Sequence, residues 1–449
     1  MAADAPAPDA PRDAMSVRGA AFLGIGAMIG AGIFALLGEA GAVAGAAVWL
    51  SFLLAGIVAI LLGYTVVKLG VRFPSSGGLI AYLIEGFGNG RLVGVASWLG
   101  YFAAIVIVCA MVAVSFGSYA TSLFVGDDAG AAWDNLFTTG VIVAMVGVNL
   151  VGSRLVDRAQ TAIVMVLLAV FAVFAAVTLV EVDTDLLAFD GYPPLGDIVA
   201  SVALTFFAYL GFSVISFSAG DLREPRRELP RAMYLALGVT TLTYVVISLG
   251  VFGTLSVEEV IGHGETAIAE AARPALGDAG YVVMAVAALL ATMSSVNATL
   301  YASGGLTSML AKVGQFPPMF APGPHLGAHR GMLITAVIVG VVANLVDLSA
   351  IASVGSACSL TIFLLVGVAA FRRRADIGAR APIVLAAIGV TAVVLAFFTV
   401  DTLRNDPETF AAIVAVGTLA VVLDVVWKRV GDRARRDVPP LGAAAGPSA

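Results

Sequence analysis

Charge is scarce in this chain. Asp, Glu, Lys and Arg make up 12% of the residues, against 60% that are hydrophobic. A soluble domain carries about a quarter charged residues, and mean hydropathy here is +1.01 over the whole length. A water-soluble enzyme with one apolar anchor is excluded. Lysine is scarcer still, with only Lys68, Lys312 and Lys428 among 24 basic residues. The net charge of -6 and the pI near 5.1 argue against a nucleic-acid partner. Cysteine is nearly absent: Cys109 and Cys358 each lie inside an apolar run, which argues against a structural disulfide or a zinc site. Nor does the N-terminus carry the basic start and apolar core of a signal peptide. Residues 1–17, with Asp4, Asp9, Asp13 and several prolines, read as a disordered cytoplasmic tail.

What the chain has in abundance is apolar runs of about 20 residues, the length that crosses a bilayer as a helix. Twelve runs fit: 18–42, 46–70, 92–124, 133–151, 156–180, 196–219, 231–255, 279–311, 331–346, 349–371, 382–400 and 408–428. The expected fold is an all-α polytopic membrane protein with about 12 transmembrane helices, its other partner being the lipid bilayer. Lys and Arg concentrate on the cytoplasmic side of such proteins. With the N-terminus inside, only Arg273 and Arg404 of the 24 basic residues fall on the exterior. Acids cluster there instead, at 127–134, 181–197 and 258–278. The expectation is a multi-pass protein of the plasma (inner) membrane with both termini cytoplasmic. The exterior connection 256–278 predicts a surface helix over Thr266–Leu276. The stretch PSSGGLIAYLIEGFG, from Pro74 to Gly88, is too short and Gly-rich to span and predicts a helix along the inner surface. Residues 430–449 form a low-complexity cytoplasmic tail.

No Asp, Glu, His, Lys or Arg occupies the middle of any span; Glu39, Lys68 and Asp424 lie near span ends, where snorkelling keeps charge in water. A carboxylate-driven proton pump, a voltage sensor and a side-chain-ligated metal centre are disfavoured. A polar substrate must be held by backbone groups and neutral side chains. Two stretches supply these: Gly24-Ile25-Gly26-Ala27-Met28-Ile29-Gly30-Ala31-Gly32-Ile33-Phe34 in the first span, and Phe206-Phe207-Ala208-Tyr209-Leu210-Gly211-Phe212-Ser213 in the sixth. Glycine weakens a helix by about 1 kcal/mol per residue relative to Ala, so the first run is a candidate for unwinding. A mid-membrane break exposes N–H groups that attract a carboxylate and carbonyls that attract an ammonium or Na⁺, a combination suited to a free amino acid. The alternative for Gly26 and Gly30, or Ala27 and Ala31, is small-residue packing in an unbroken helix. For the sixth span it is an aromatic-rich, lipid-facing helix.

The two stretches sit at equivalent positions if units of five helices repeat, and five is odd, so the second unit enters the membrane inverted. Interrupted helices at matching positions of such repeats point to a binding site. The expected division is one repeat over 18–182, an inverted one over 195–371, and two peripheral helices over 382–429.

At this point the residues resemble the amino acid–polyamine–organocation superfamily, especially its prokaryotic amino acid permeases. GIGAMIGAGIF, FPSSGGLIAYLIEGFG, FFAYLGFSVISFSAGDLREPRRELPRAM and SSVNATLYASGGLTSMLAKVGQFP carry the resemblance over almost the whole chain. It implies alternating access around a central amino acid site and no cofactor beyond a coupling ion, Na⁺ or H⁺. By this resemblance, N–H groups near Gly30, Ala31 and Gly32 hold the substrate carboxylate. Carbonyls of Met28, Phe207, Ala208 and Leu210 accept from its ammonium, and Phe207 closes over it from outside. Tyr101, Ile105 and Cys109 recur every four residues and so share a helix face, which by similarity borders the substrate side chain; plain packing is the alternative. Some relatives carry a proton-coupling Lys where this chain has Leu167. A sodium ion held by carbonyls of Gly26 and Ile29 with hydroxyls of Ser294 and Ser295 suits that vacancy, the alternative being serines bonded back to their own helix. Ser213 stands where many relatives have an acidic gate residue, so Phe207, Tyr101 and Ser213 are the gate candidates. The mixed-charge string Asp221–Pro230 is either a solvated loop or part of a cytoplasmic gate.

The function this implies is secondary transport of amino acids, neutral ones by the lack of an acidic partner, as a monomer or homodimer. Its rivals are a same-fold permease for a polyamine or another organic cation, a non-transporting amino acid sensor, and a membrane enzyme. The last lacks any intramembrane catalytic cluster.

Overall fold

A computed structural model of the chain describes residues 15–75, 77–126, 130–151, 156–180, 182–217, 219, 222–323, 327 and 329–430. The tails expected over 1–17 and 430–449 lie almost wholly outside the described residues, as does Asp221 of the mixed-charge string. Among the described residues there is no β-strand, only helices and two isolated bridges. The chain is an all-α polytopic membrane protein.

The helices fall on the twelve expected spans. The first span is α1 (Val17–Ala31) followed by α2 (Ile33–Ala44), and the second is α3 (Val48–Arg72). A short α4 (Gly78–Phe87) precedes the third span, which is α5 (Arg91–Tyr101), a π-helical turn over Phe102–Ile107, and α6 (Val108–Phe124). Next come α7 (Ala131–Val151) and α8 (Val156–Thr178), then a sixth span divided into α9 (Leu195–Phe207) and α10 (Phe212–Phe217). The seventh span is α11 (Pro225–Phe252). Two short helices, α12 (Val257–His263) and α13 (Ala267–Glu270), lead to the eighth, α14 (Arg273–Lys312). Then follow α15 (His329–Leu345), α16 (Leu348–Arg372), the one-turn α17 (Arg374–Ile377), α18 (Ala381–Asn405) and α19 (Pro407–Val430).

Local chemistry explains several boundaries. The Ser16 hydroxyl accepts from the Gly19 N–H at 3.1 Å and caps α1. Ser256 and Glu259 form a reciprocal capping box on α12. Pro225 occupies the first turn of α11, where its missing N–H costs nothing, and Pro230 lies inside that helix although a proline there reads as a stop. The expected surface helix Thr266–Leu276 is broken: α13 covers only its start, and α14 begins at Arg273 with a bend at Gly277 (φ 65°).

The broken first and sixth spans pack together antiparallel. The first half of one, α1, lies on the second half of the other, α10, while α2 lies on α9. That is the relation an inverted repeat requires. Around this pair, α3 packs on α11 and α6 on α14. The outer helices α7, α8, α18 and α19 expose Val143, Met165, Val393 and Val422 among other apolar side chains, the surface a lipid phase requires. Asp424 does not snorkel: it is buried and pairs with Lys428 at 2.6 Å, against Gly94 of α5.

Candidate functional site

The two broken spans cross within the buried core, and their backbones nearly touch. A Cβ on Gly32 would lie 2.7 Å from the Ala208 Cβ and 2.8 Å from its carbonyl oxygen. A Cβ on Gly211 would lie 2.5 Å from the Ala27 carbonyl carbon. Only glycine permits either approach. Met28, Ile29, Phe207, Ala208 and Leu210 are all buried around this point.

The first break is a single residue. Gly32 leaves the helix (φ -110°, ψ -77°), and the ladder restarts with the Leu36 N–H on the Gly32 carbonyl at 3.0 Å. Gly30 and Ala31 belong to α1, so of the three residues expected to offer free N–H groups only Gly32 heads α2. The reason is packing: Gly30 is pressed against α14, where a Cβ would lie 2.6 Å from the Ala291 carbonyl oxygen and 2.8 Å from the Ser295 Cβ. Here the packing alternative describes the glycine.

The second break covers Ala208 to Gly211 and is drawn into tight i→i+3 turns. The N–H groups of Ala208, Tyr209 and Leu210 reach the carbonyls of Thr205, Phe206 and Phe207 at 2.9–3.2 Å. The Leu210 carbonyl accepts from the Ser213 N–H at 3.0 Å and from its hydroxyl at 2.9 Å. Ser213 thus acts on the break itself.

The Met28 and Ala208 carbonyls share one donor that the sequence did not signal. The Tyr244 hydroxyl of α11 donates to Met28 O at 2.7 Å and lies 3.1 Å from Ala208 O. Tyr244 sits in an apolar run with no motif around it. Of the four carbonyls expected to meet an ammonium, those of Met28, Phe207 and Ala208 already have one hydrogen-bond donor and retain a second lone pair, while that of Leu210 has two donors from Ser213.

The Phe207 ring lies against Gly355 of α16, whose Cβ would lie 2.5 Å from the Phe207 Cζ and 2.6 Å from the Ile107 Cγ2. In the third span Tyr101, Ile105 and Cys109 are buried, but the π turn over Phe102–Ile107 runs between them. Its extra residue breaks the straight-helix register on which the shared face was argued. The Tyr101 hydroxyl pairs with Thr335 Oγ1 of α15 at 2.9 Å. Its ring joins a cluster that the sequence reading missed: Trp98 stacked on Phe316 at 3.9 Å, with Tyr101 5.3 Å from Phe316 and 6.1 Å from Phe320. Phe316 and Phe320 follow α14 in an irregular segment, so helical periodicity could not place them.

Of the expected ion ligands, Gly26, Ile29 and Ser295 are buried and Ser294 is half-buried; Gly30 brings α1 and α14 together beside Ser295. Leu167 is buried in α8. At the acid-rich end, Gly38 of α2 packs on the Gly264 backbone. The adjoining half-buried Glu265 has its pKa raised by burial and by the nearby Glu39 and Asp134 carboxylates.

Comparison with known proteins agrees with this architecture. The amino acid permease family model matches residues 15–421. The inner membrane transport protein YbaT of Escherichia coli is 31% identical over 407 residues, 91% of this chain and 94% of that protein. The methylthioribose transporter of Bacillus subtilis is 27% identical, covering 89% and 91% of the two chains. The serine/threonine exchanger SteT of the same organism is 26% identical, covering 65% and 67%. These relatives are transporters, not enzymes. With two broken helices crossed in its buried core and the family model matching from the first span into the last, the chain belongs to the amino acid permease family.

Proposed function

We propose that this permease carries neutral amino acids across the plasma membrane by alternating access, the zwitterion binding where the two broken spans cross. The observation that carries the reading is the antiparallel crossing itself: a helix N-terminus at Gly32 and the carbonyls of Met28 and Ala208 lie together in a buried place, with Phe207 and Leu210 adjacent. The N-terminus of α2 receives the carboxylate and the carbonyls receive the ammonium. No acidic side chain is available there for a cationic side chain, and a polyamine would leave the helix N-terminus unused.

In this reading Phe207 closes the outer path. Tyr101, with Trp98, Phe316 and Phe320, closes the inner one, on the side that the basic residues favour as cytoplasmic. Ile105 and Cys109 border the substrate side chain, and Ser213 steadies the turn beneath it. Sodium couples transport through the Gly26 and Ile29 carbonyls with Ser294 and Ser295, because Leu167 carries no proton.

The test is uptake into proteoliposomes of labelled amino acids, with methylthioribose and a polyamine in the same panel, under separate Na⁺ and pH gradients. Concentrative uptake of neutral amino acids that needs Na⁺ and is lost in Ser295→Ala is expected. Uptake driven by pH alone overturns the sodium site, and uptake only with amino acid inside means exchange. No movement of any amino acid overturns the reading as a whole.

A further inference from the structure

The Tyr244 hydroxyl occupies the point on which the Met28 and Ala208 carbonyls converge, at 2.7 and 3.1 Å. A phenol has one proton to give and oxygen lone pairs to receive with. Once that proton is committed to the two broken spans, the oxygen meets any further group as an acceptor. Turning the hydroxyl round would strip a donor from two buried carbonyls, which is unfavourable away from water. Nor is the ring free to swing aside. Phe52 and Tyr209 hold it edge-on at centroid separations of 5.2 and 5.1 Å, and the Tyr209 hydroxyl is tied to the Phe52 carbonyl at 2.9 Å. Gly32, by lacking a Cβ, leaves the room in which the oxygen sits.

We propose that Tyr244 is a specificity-determining residue of the permease: its oxygen, fixed as an acceptor by donating to Met28 and Ala208, takes a hydrogen bond from the substrate ammonium and selects α-amino acids over α-hydroxy acids. The inference rests on the crossing being the substrate site. A charged donor makes the stronger hydrogen bond to such an oxygen, so the selection is for the ammonium and not for a hydroxyl in its place.

The experiment compares the wild type with Tyr244→Phe in proteoliposomes. It measures KM and Vmax for the amino acid transported best and for its α-hydroxy counterpart. In Tyr244→Phe the amino acid KM should rise about tenfold or more, the loss of one hydrogen bond to a charged group. Vmax should stay within about twofold and the preference over the hydroxy acid should shrink by the same factor as KM rises. An unchanged preference, or equal rises in KM for both compounds, overturns the inference. Fluorotyrosine placed at 244 keeps the shape and weakens the oxygen as an acceptor, so it should raise the amino acid KM; a lower KM would mean the hydroxyl donates to substrate and overturns the inference too. If Tyr244→Phe does not reach the membrane folded, the fluorotyrosine protein decides alone. A wild type that moves no amino acid overturns the transport reading, and this inference with it; transport with an unchanged preference overturns the inference only.

Discussion

The first and sixth spans are both broken, yet their sequences suggest the wrong one as the more disrupted. The first has four glycines in nine residues and departs from helix at Gly32 alone. The sixth has a single glycine in its stretch and loses the α-helical ladder over Ala208–Gly211. Glycine density therefore does not measure unwinding here. In the first span glycines are spent on contact: Gly24 faces Ile215, Gly30 faces Ala291 and Ser295, and Gly32 faces Ala208. In the sixth, Gly211 lets the turn approach the other span's backbone, and the Ser213 side chain adds a second donor to the Leu210 carbonyl, which already accepts from the Ser213 N–H. Helix propensity opposes a break in neither span strongly enough to decide its length; the crossing decides it.

The largest effect should come from filling the crossing. Gly211→Ala sets a methyl against the Ala27–Met28 backbone, which cannot move without displacing α1. Loss of transport is expected, with a drop in melting temperature corresponding to about 1–3 kcal/mol or more of overpacking. Gly238→Ala on α11, where nothing lies within 4 Å, is the control and should be neutral or slightly stabilising. A harmless Gly211→Ala would remove the basis for treating the two breaks as one joint.

Gly30→Ala comes next and separates the two uses of glycine. If unwinding at Gly30 mattered, alanine would act by restoring helix. The packing on Ala291 predicts that it instead destabilises, by about 1–3 kcal/mol in thermal unfolding. A rise in melting temperature would reverse the assignment.

Ser213→Ala sharpens the second break. Leu210 O keeps the Ser213 N–H and loses the hydroxyl, so the expected cost is about 1 kcal/mol, visible as a small fall in melting temperature. No change would mean that water replaces the hydroxyl freely and the turn is open.

The smallest effect concerns the cover over α2, where the pKa of Glu265 is raised by burial, Glu39 and Asp134. A carboxyl whose folded pKa exceeds its unfolded one weakens the fold as pH rises from the unfolded value through the folded one. Thermal stability of the wild type should therefore decline over that window relative to Glu265→Gln, and the two pH profiles should converge below it. Parallel profiles would mean that α2 is loosely covered.

Much of this architecture was legible beforehand. Apolar run length placed twelve spans, because bilayer thickness sets helix length. The GIGAMIG and FFAYLGF stretches marked the spans that break, because both interrupt an apolar run with residues that hold a helix weakly or pack closely. The candidate site was legible only in outline. Met28, Gly32, Phe207, Ala208 and Leu210 do gather at the crossing, while Gly30 and Ala31 stay helical. Ile105 lies in a π turn that no residue type announced. The ion pair of Asp424 with Lys428 was missed because position near a span end suggested solvent, and only α5 lying alongside makes that place a buried one.

By itself, then, the sequence determined the phase in which the chain folds, the number of crossings, and where the backbone is free to break, since these depend on composition and local periodicity. Which glycine breaks and which packs, and that Tyr244 meets the carbonyls of residues 216 and 36 positions away, only the tertiary structure decided. Such contacts arise when distant helices cross, and no spacing along one helix encodes the partner that another will bring.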